Sequence, residues 1–405
     1  MKKLILSLAL VGVASTVAFG QKKVVRSAEK NLRKGNISEA LTDIETATQD
    51  PETGADPETF LIKGKILTIQ FVADSSNTEA TVGKGRNALD AFRKSLDMDG
   101  NDSTSKIGKE IYKEVVPGLP ENLQGEGIFK LKTSSVNKAI SRYEVDDHAL
   151  ASKFFAIAAD IDPKDTSIVF NAGYTANMAE DYDAAKKYLT MLLDVPEYNK
   201  LNAYYFLIQI ANQQEDDQEE AYRLVKQARE EYPNDKGLSE FEIQLLLQLE
   251  KMDEAMASIK QSLDQDPNNA PIRLRYGYLK EQSGDLDGAL EEYLKTVEID
   301  PDFFEGNYYA GAVYIDQARE IINEVNNLPD DEWEAKSEDM LAEADSLYEK
   351  AIPLFEKAVE LKPDNTEILR ILHSIHTRLK NEEKAAEYDK KLQELLGPDW
   401  LEGGN

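Results

Sequence analysis

The sequence predicts an all-α protein, an α-solenoid in which antiparallel helix pairs stack one after another. Pro233, Pro267 and Pro301 stand 34 residues apart, and prolines at this spacing mark the ends of equal units. Between them, apolar residues recur at three- and four-residue steps, which is typical of helices with one buried face. One unit of this size cannot bury its apolar face alone, so neighbouring units must pack against each other.

The stretch 270–301 shows one unit most clearly. Its first half is predicted to be a helix, with Ile272 and Leu279 among its apolar residues. Gly284 can adopt the left-handed conformation that ends a helix, and Asp285 can cap the helix that follows. Apolar residues then return at helical spacing until Pro301. The stretch therefore predicts two antiparallel helices joined by a short turn.

This stretch resembles a tetratricopeptide repeat. The resemblance rests on Gly277 at the eighth position, Ala289 at the twentieth, Tyr293 at the twenty-fourth and Pro301 at the end. Further units in register carry Ala221 with Pro233 and Ala255 with Pro267. The resemblance covers most of the chain and implies a right-handed superhelix of about eight or nine repeats. It also implies that the protein works through protein–protein interaction.

Residues 1–20 are predicted to be a signal peptide. Lys2 and Lys3 precede an apolar run from residue 4 to residue 17, and Ala18 and Gly20 are small residues before a cleavage site at Gln21. The run is short for a membrane span, so no membrane insertion is expected after cleavage. The sequence has no cysteine, which excludes disulfides and lipid attachment at a processed cysteine. We therefore expect a periplasmic or secreted protein.

The acidity of the chain limits the partners that it can bind. Its net charge is −29, and loss of Lys2 and Lys3 with the signal peptide makes it two charges more negative. A surface this acidic repels phosphate backbones and anionic lipids. Nucleic acid is therefore not an expected partner.

The N-terminal part, 21–102, is predicted to hold a pair of repeat-like units. The polar stretch 74–86 inside it is predicted to be a solvated loop, because its Gly-Lys-Gly lacks the spacing of a phosphate-binding loop. The acidic stretch 97–102 lacks the full ligand pattern of a calcium loop and is predicted to be a plain turn. An irregular connector, 103–126, follows with one helix around 107–116.

The main array of repeats is predicted to span 127–303, and the unit after it is longer. In 304–363 the apolar stripe continues where a turn is expected, and the unit exceeds one repeat by 28 residues. Shared between two helices, this excess lengthens each by ~14 residues, or ~21 Å, and predicts a projecting hairpin. Pro353 is expected to kink the returning helix. Residues 364–405 are predicted to be capping helices with a polar tail.

The sequence offers little for catalysis, and we expect a protein that is not an enzyme and has no cofactor. No thiol nucleophile, nucleophile-elbow or dinucleotide-binding motif is present. His148 stands where a repeat places a packing aromatic. His373 and His376 are one helical turn apart and could share a metal, but no nearby carboxylate spacing completes a zinc site. A structural role is the expectation for all three histidines.

The resemblance also implies where a partner binds. In tetratricopeptide arrays the first helix of each unit lines a concave groove, and its fifth, ninth, twelfth and thirteenth positions contact the ligand. By register, the expected groove residues are Phe170, Tyr174, Asn177, Phe206, Ile210, Gln213, Gln244, Leu274, Tyr278 and Glu281. These units lack the Lys and Asn pair with which chaperone-type members hold a C-terminal carboxylate. Helix packing also uses Phe and Tyr, so each aromatic residue has this second interpretation.

The predicted function is that of a non-enzymatic scaffold of the bacterial cell envelope, which binds a peptide or protein partner in the groove. The hairpin 315–348 is a competing recognition surface. The alternative function is a glycan-binding or nutrient-uptake accessory protein of the outer membrane, since some sugar-uptake proteins use similar helices. Those proteins carry a lipidation cysteine and a large insertion, and this sequence has neither.

Overall fold

The computed structural model of the protein describes residues 22–116, 118 and 124–401. Within these ranges the chain forms 19 α-helices and no β-strand, which confirms the predicted all-α class. The predicted signal peptide lies outside the described residues. Among the described residues, no helix combines the length and the apolar character that a membrane span requires.

The chain divides into two compact units, and the division falls between Leu224 and Val225. The described residues of the first unit contain part of a first helix, nine further helices and the start of an eleventh. The described part of α1 covers 22–33. The others are α2 Ile37–Gln49, α3 Pro57–Ala73, α4 Glu79–Met98, α5 Lys106–Ile111, α6 Ile128–Tyr143, α7 His148–Ile161, α8 Thr166–Met178, α9 Tyr182–Leu193, α10 Leu201–Gln209 and α11 Gln218–Glu231.

The second unit begins inside α11 and contains four further helix pairs. Its helices are α12 Lys236–Gln248, α13 Met252–Gln265, α14 Ala270–Gln282, α15 Leu286–Ile299, α16 Phe304–Asn326, α17 Asp330–Leu361, α18 Thr366–Arg378 and α19 Glu382–Leu396. Within each unit, helices such as α6–α9 and α14–α19 pack consecutively against one another, as the stacked pairs of an α-solenoid do. The predicted connector 103–126 does not coincide with the division between the two units.

The pair α14–α15 shows how the repeat sequence produces this structure. Gly284 ends the first helix with φ +86°, and the Asp285 side chain accepts a hydrogen bond from the backbone N–H of Gly288. A Cβ at Gly277 would lie 2.6 Å from Cε1 of Tyr293, so only glycine lets the helices approach this closely. Ala289 is fully buried in the same contact. The predicted helices, turn and small positions are confirmed.

The prediction of a solvated loop at 74–86 is wrong in its second half, because α4 begins at Glu79. Thr78 caps this helix through reciprocal hydrogen bonds with Thr81. Gly85 is buried in the helix rather than exposed in a loop, and a Cβ there would lie 2.8 Å from Cδ1 of Ile157. The glycines that suggested a loop are thus tolerated inside a helix, and one of them permits close packing.

The neighbouring short elements agree with the sequence only in part. The stretch 97–102 contains the end of α4 and then a turn, in which Gly100 and Asn101 have positive φ. The predicted helix around 107–116 is shorter than expected, since α5 ends at Ile111. Lys65 of α3 forms an ion pair with Glu110 of α5, with Nζ and Oε2 2.8 Å apart.

The long hairpin is confirmed. Helix α16 has 23 residues and α17 has 32, and α17 continues through Pro353 to Leu361. The two helices of the hairpin share an apolar cluster in which Ala318, Ala344 and Phe355 are fully buried. Gly311 of α16 faces the ring of Phe355, which brings the two backbones close together.

The C-terminal cap has an apolar anchor that the predicted polar tail did not include. Trp400 is buried against α18, and its ring meets that of His373 edge to face at 5.2 Å. Its indole N–H donates a hydrogen bond to Asp389 of α19 at 2.9 Å. Trp400 therefore packs the end of the chain against both helices of the last pair.

Candidate partner-binding surfaces

Three of the expected groove aromatics of the first unit lie together on its surface. The rings of Phe170 and Tyr174 on α8 stack with centroids 6.0 Å apart and planes inclined by 6°. Phe206 of α10 meets both rings, at 6.1 Å from Phe170 and 5.6 Å from Tyr174. All three side chains are half-buried. The helix faces thus present one partly exposed aromatic cluster.

Helix α6 extends this cluster with residues that the sequence analysis did not select. Tyr143 is 39% exposed, and the interaction with its hydroxyl group, together with burial, raises the pKa of Tyr174. Ile140, one turn before Tyr143, is 44% exposed. By the register of Ala151 these residues occupy the twelfth and ninth positions of their repeat, so the rule applied to the later units would have found them. We call Ile140, Tyr143, Phe170, Tyr174 and Phe206 the aromatic face.

Two polar side chains follow the aromatic residues along the chain, Asn177 near the end of α8 and Gln213 in the π-helical turn after α10. Asn177 is half-buried, and Gln213 is exposed and accepts a hydrogen bond from Gln209. The expectation for Ile210 is corrected, because its side chain is fully buried and cannot contact a partner. Ile210 lies three residues after the buried Leu207, on the inward face of its helix, and the π-helical turn Ile210–Gln214 begins there.

The expected groove residues of the second unit do not form a comparable cluster. Leu274 packs against the buried residues Ala289 and Tyr293, while Tyr278 is 45% exposed. Gln244 is exposed on α12. Glu281 accepts a hydrogen bond from the Tyr293 hydroxyl group at 2.7 Å, so its carboxylate already has a structural partner. Burial and this carboxylate raise the pKa of Tyr293.

The second unit contains buried ion pairs that the sequence did not predict. Glu292 is almost fully buried on α15 and accepts hydrogen bonds from Arg273 at 2.6 Å and Lys280 at 3.3 Å. A second pair joins Arg229 to Glu242 with Nη1 and Oε2 3.2 Å apart. Charged residues on amphipathic helices are usually solvated, so the sequence pattern alone gave no signal for these contacts.

The histidines occupy packing positions. His148 lies against the ring of Tyr143 at 5.4 Å, and His376 stacks on Tyr388 at 5.7 Å. His376 is buried, and neither of its ring nitrogens has a hydrogen-bond partner. Burial lowers its pKa. Among the residues that the structure describes, no group of three or more His, Cys, Asp or Glu side chains is placed to hold a metal ion.

The helix pairs and their buried small residues define a helical repeat protein. Family models agree: a tetratricopeptide repeat model matches residues 246–312, and a second one matches residues 343–365. The first match contains α14 and α15, on which the register of the sequence analysis rests. Two stretches of the chain thus match tetratricopeptide repeats, and the helix pairs of the described residues have the same all-α repeat architecture.

Solved structures of tetratricopeptide repeat proteins resemble the chain at low sequence identity. The C-terminal part of a repeat-containing protein from Cytophaga hutchinsonii is 13% identical, with 67% of this chain and 99% of that chain covered and a TM-score of 0.48. YrrB, described as having an unusual peptide-binding site, is 19% identical over 53% of this chain and 95% of its own, with a TM-score of 0.35. MamA from Desulfovibrio magneticus is 21% identical, with 49% and 96% covered and a TM-score of 0.36. No curated protein sequence matches the chain.

Proposed function

We propose that the protein is a non-enzymatic scaffold that holds a peptide or protein partner on the aromatic face of its first unit. One observation carries this proposal: rings from α8 and α10 meet at a surface where each remains partly exposed. Aromatic side chains are enriched where proteins bind proteins, because a rigid ring buries much area at a small cost in entropy. The aromatic face is also apolar within a strongly acidic chain.

The surroundings of the aromatic face indicate the chemistry of the partner. Apolar side chains of the partner would cover Phe206 and Ile140, while its backbone could bond the amides of Asn177 and Gln213. The acidic surface disfavours an anionic segment. We therefore propose a partner segment that is apolar at its centre and neutral or basic at its ends.

We further propose that the protein is exported and acts in the bacterial cell envelope. The support is the sequence of residues 1–20, with Lys2 and Lys3 before an apolar run and small residues before Gln21. N-terminal sequencing of the protein recovered from cells should begin near Gln21. Recovery of the intact N-terminus in the cytoplasmic fraction would contradict export.

Affinity capture from envelope extract, followed by mass spectrometry, tests the binding proposal. The variant Phe170→Ala with Tyr174→Ala removes the stacked rings of α8 and should lose the partner that the wild type captures. Tyr278→Ala is the matched control, because this tyrosine has the same repeat position as Tyr174 but belongs to the second unit. Circular dichroism of both variants confirms that they are folded.

The result distinguishes binding at the aromatic face from binding at the surface around Tyr278. Loss of the partner from the Phe170 and Tyr174 variant, with retention by the control, supports the proposal. Equal capture by the wild type and by the folded double variant would show that the aromatic face is helix packing only.

A further inference from the structure

Helix α1 carries a row of positive charges that is unusual in this acidic chain. Residues 22–34 contain six lysines and arginines and one glutamate, whereas the whole chain has a net charge of −29. Lys22, Arg26 and Lys30 follow each other at intervals of four residues, and all three are exposed. Residues four apart lie on one side of a helix, so these cations form a single row, which we call the basic row.

The fold makes little use of the basic row. Lys22 pairs with Glu52 at 3.3 Å, but both side chains are about half exposed or more, and such a pair contributes little to stability. No carboxylate of the described residues lies within ion-pair distance of Arg26 or Lys30. Like charges four residues apart destabilise a helix, so the basic row has a cost within the monomer.

The long hairpin carries the opposite pattern. Its segment 320–342 contains eight carboxylates and a single cation, Lys336, which already pairs with Glu332 at 2.7 Å. Asp330, Glu334 and Glu338 follow each other at intervals of four residues on α17, and all three are exposed. No lysine or arginine of the described residues pairs with them. We call these three residues the acidic row.

We propose that the basic row of one copy binds the acidic row of a second copy. Each row has three charges at a step of four residues, which is ~6 Å along a helix axis, so two helices laid side by side can pair all three. Long-range repulsion between acidic copies is screened within about 8 Å at physiological ionic strength, while ion pairs in contact persist. Each copy of the chain therefore carries both the basic row and the acidic row that this contact requires.

The geometry of this contact predicts the type of assembly. The two rows are different surfaces, so a copy that gives its basic row to one neighbour still offers its acidic row to another. Such a heterologous contact forms rings or chains rather than stopping at a dimer. The assembly should grow with protein concentration and weaken with salt.

Sedimentation velocity of the natively purified protein tests the proposal. At about 50 mM NaCl the wild type should form species larger than a monomer, and at about 500 mM NaCl, where the Debye length is roughly threefold shorter, it should be monomeric. Arg26→Glu with Lys30→Glu reverses the basic row, and Glu334→Lys with Glu338→Lys reverses the acidic row. Each double variant alone should remain monomeric at low salt.

Mixing the two double variants gives the decisive result. The reversed basic row then faces the reversed acidic row, so an equimolar mixture should associate again. Lys390→Glu and Asp183→Lys reverse exposed charges outside both rows and should associate as the wild type does. A wild type that is monomeric at low salt, reversed variants that still associate, or a mixture that stays monomeric would each overturn the proposal.

Discussion

Helices α8 of the first unit and α14 of the second have the same place in their repeats but different surroundings. At the fifth and ninth positions, α8 has Phe170 and Tyr174, which join Phe206 in a cluster of partly exposed rings. At the same positions α14 has Leu274, which packs inward, and an isolated Tyr278. Around α14 the specific contacts are ionic, and the buried Glu292 pairs with Arg273, Lys280 and Lys295.

This difference shows which positions the repeat fixes and which it leaves free. Both helices have a glycine at the eighth position, where a Cβ would lie 2.8 Å from Cγ of Leu189 in one unit and 2.6 Å from Cε1 of Tyr293 in the other. Close packing therefore constrains the small positions in both units alike. The remaining positions diverge, so α8 contributes to a partly exposed aromatic surface, whereas α14 contributes Arg273 and Lys280 to the ion pairs of Glu292.

The largest expected loss of stability is the same in both units. Ala289→Arg forces a charge into a fully buried helix contact of the second unit, and Ala185→Arg does the same at the twentieth position of a first-unit repeat. Each should lower the free energy of unfolding by about 4 kcal/mol, because a buried unpaired charge is costly. Urea unfolding followed by circular dichroism measures the loss. Gln244→Arg, at an exposed position, is the control and should unfold at the same urea concentration as the wild type.

A wild-type stability for either alanine variant would show that the repeat register is misplaced in that unit. If only one variant were destabilised, the two units would not share the packing on which the comparison rests.

A smaller effect should be specific to the second unit. Glu292→Gln leaves Arg273 and Lys280 without their buried counter-charge and should cost about 3 kcal/mol. Glu291→Gln is the matched control, since the neighbouring Glu291 is exposed and its pair with Lys295 lies at the surface. The control should change the free energy of unfolding by less than about 0.5 kcal/mol. Equal effects of the two variants in urea unfolding would contradict a structural role for the buried network.

Between pH 7 and pH 5, the free energy of unfolding should depend on His376 of the second unit. Burial lowers the pKa of His376 below its ordinary value of 6.5, and the facing charged groups are Glu356, Lys384 and Glu387. The folded state therefore binds the proton less readily than the unfolded state does. The contribution of His376 is complete above pH 6.5 and decreases as the pH falls below it.

His376→Phe keeps a ring that can stack on Tyr388 but removes the titration. From pH 7 to pH 5, the wild type should lose more stability than this variant does, as thermal melts of both proteins would show. Acid effects on other groups are common to both proteins and cancel in the difference. Parallel loss of stability in the two proteins would exclude His376 as the source.

The sequence was sufficient to predict the features that depend on local pattern. The ends of α14 and α15 followed from Gly284, Asp285 and Pro301, and the long hairpin followed from an apolar stripe that continues past the expected turn. Phe170 and Tyr174 were selected by repeat position, and the structure places their rings together. Their role in binding stays a prediction.

The remaining features depend on contacts that are distant in the sequence. Gly85 was predicted to lie in a loop. It is in fact a helix residue that must be small because Phe71 and Ile157 lie against it, and neither contact is visible in the local sequence. Ile210 was expected in the groove from its repeat position, but it lies on the buried face of its helix, three residues after Leu207. Trp400 packs on a helix more than twenty residues before it in the chain, and no local pattern indicates such a return.

The most direct test measures how one substitution in each unit changes the affinity of the protein for the captured partner. By titration calorimetry, Tyr174→Ala should weaken binding at least about tenfold, the equivalent of about 1.4 kcal/mol, while Tyr278→Ala should leave it within about twofold of the wild type. Deletion of 320–342 from the hairpin should also leave the affinity unchanged. Loss of binding on this deletion, with normal affinity for Tyr174→Ala, would contradict the account and make the hairpin the recognition element.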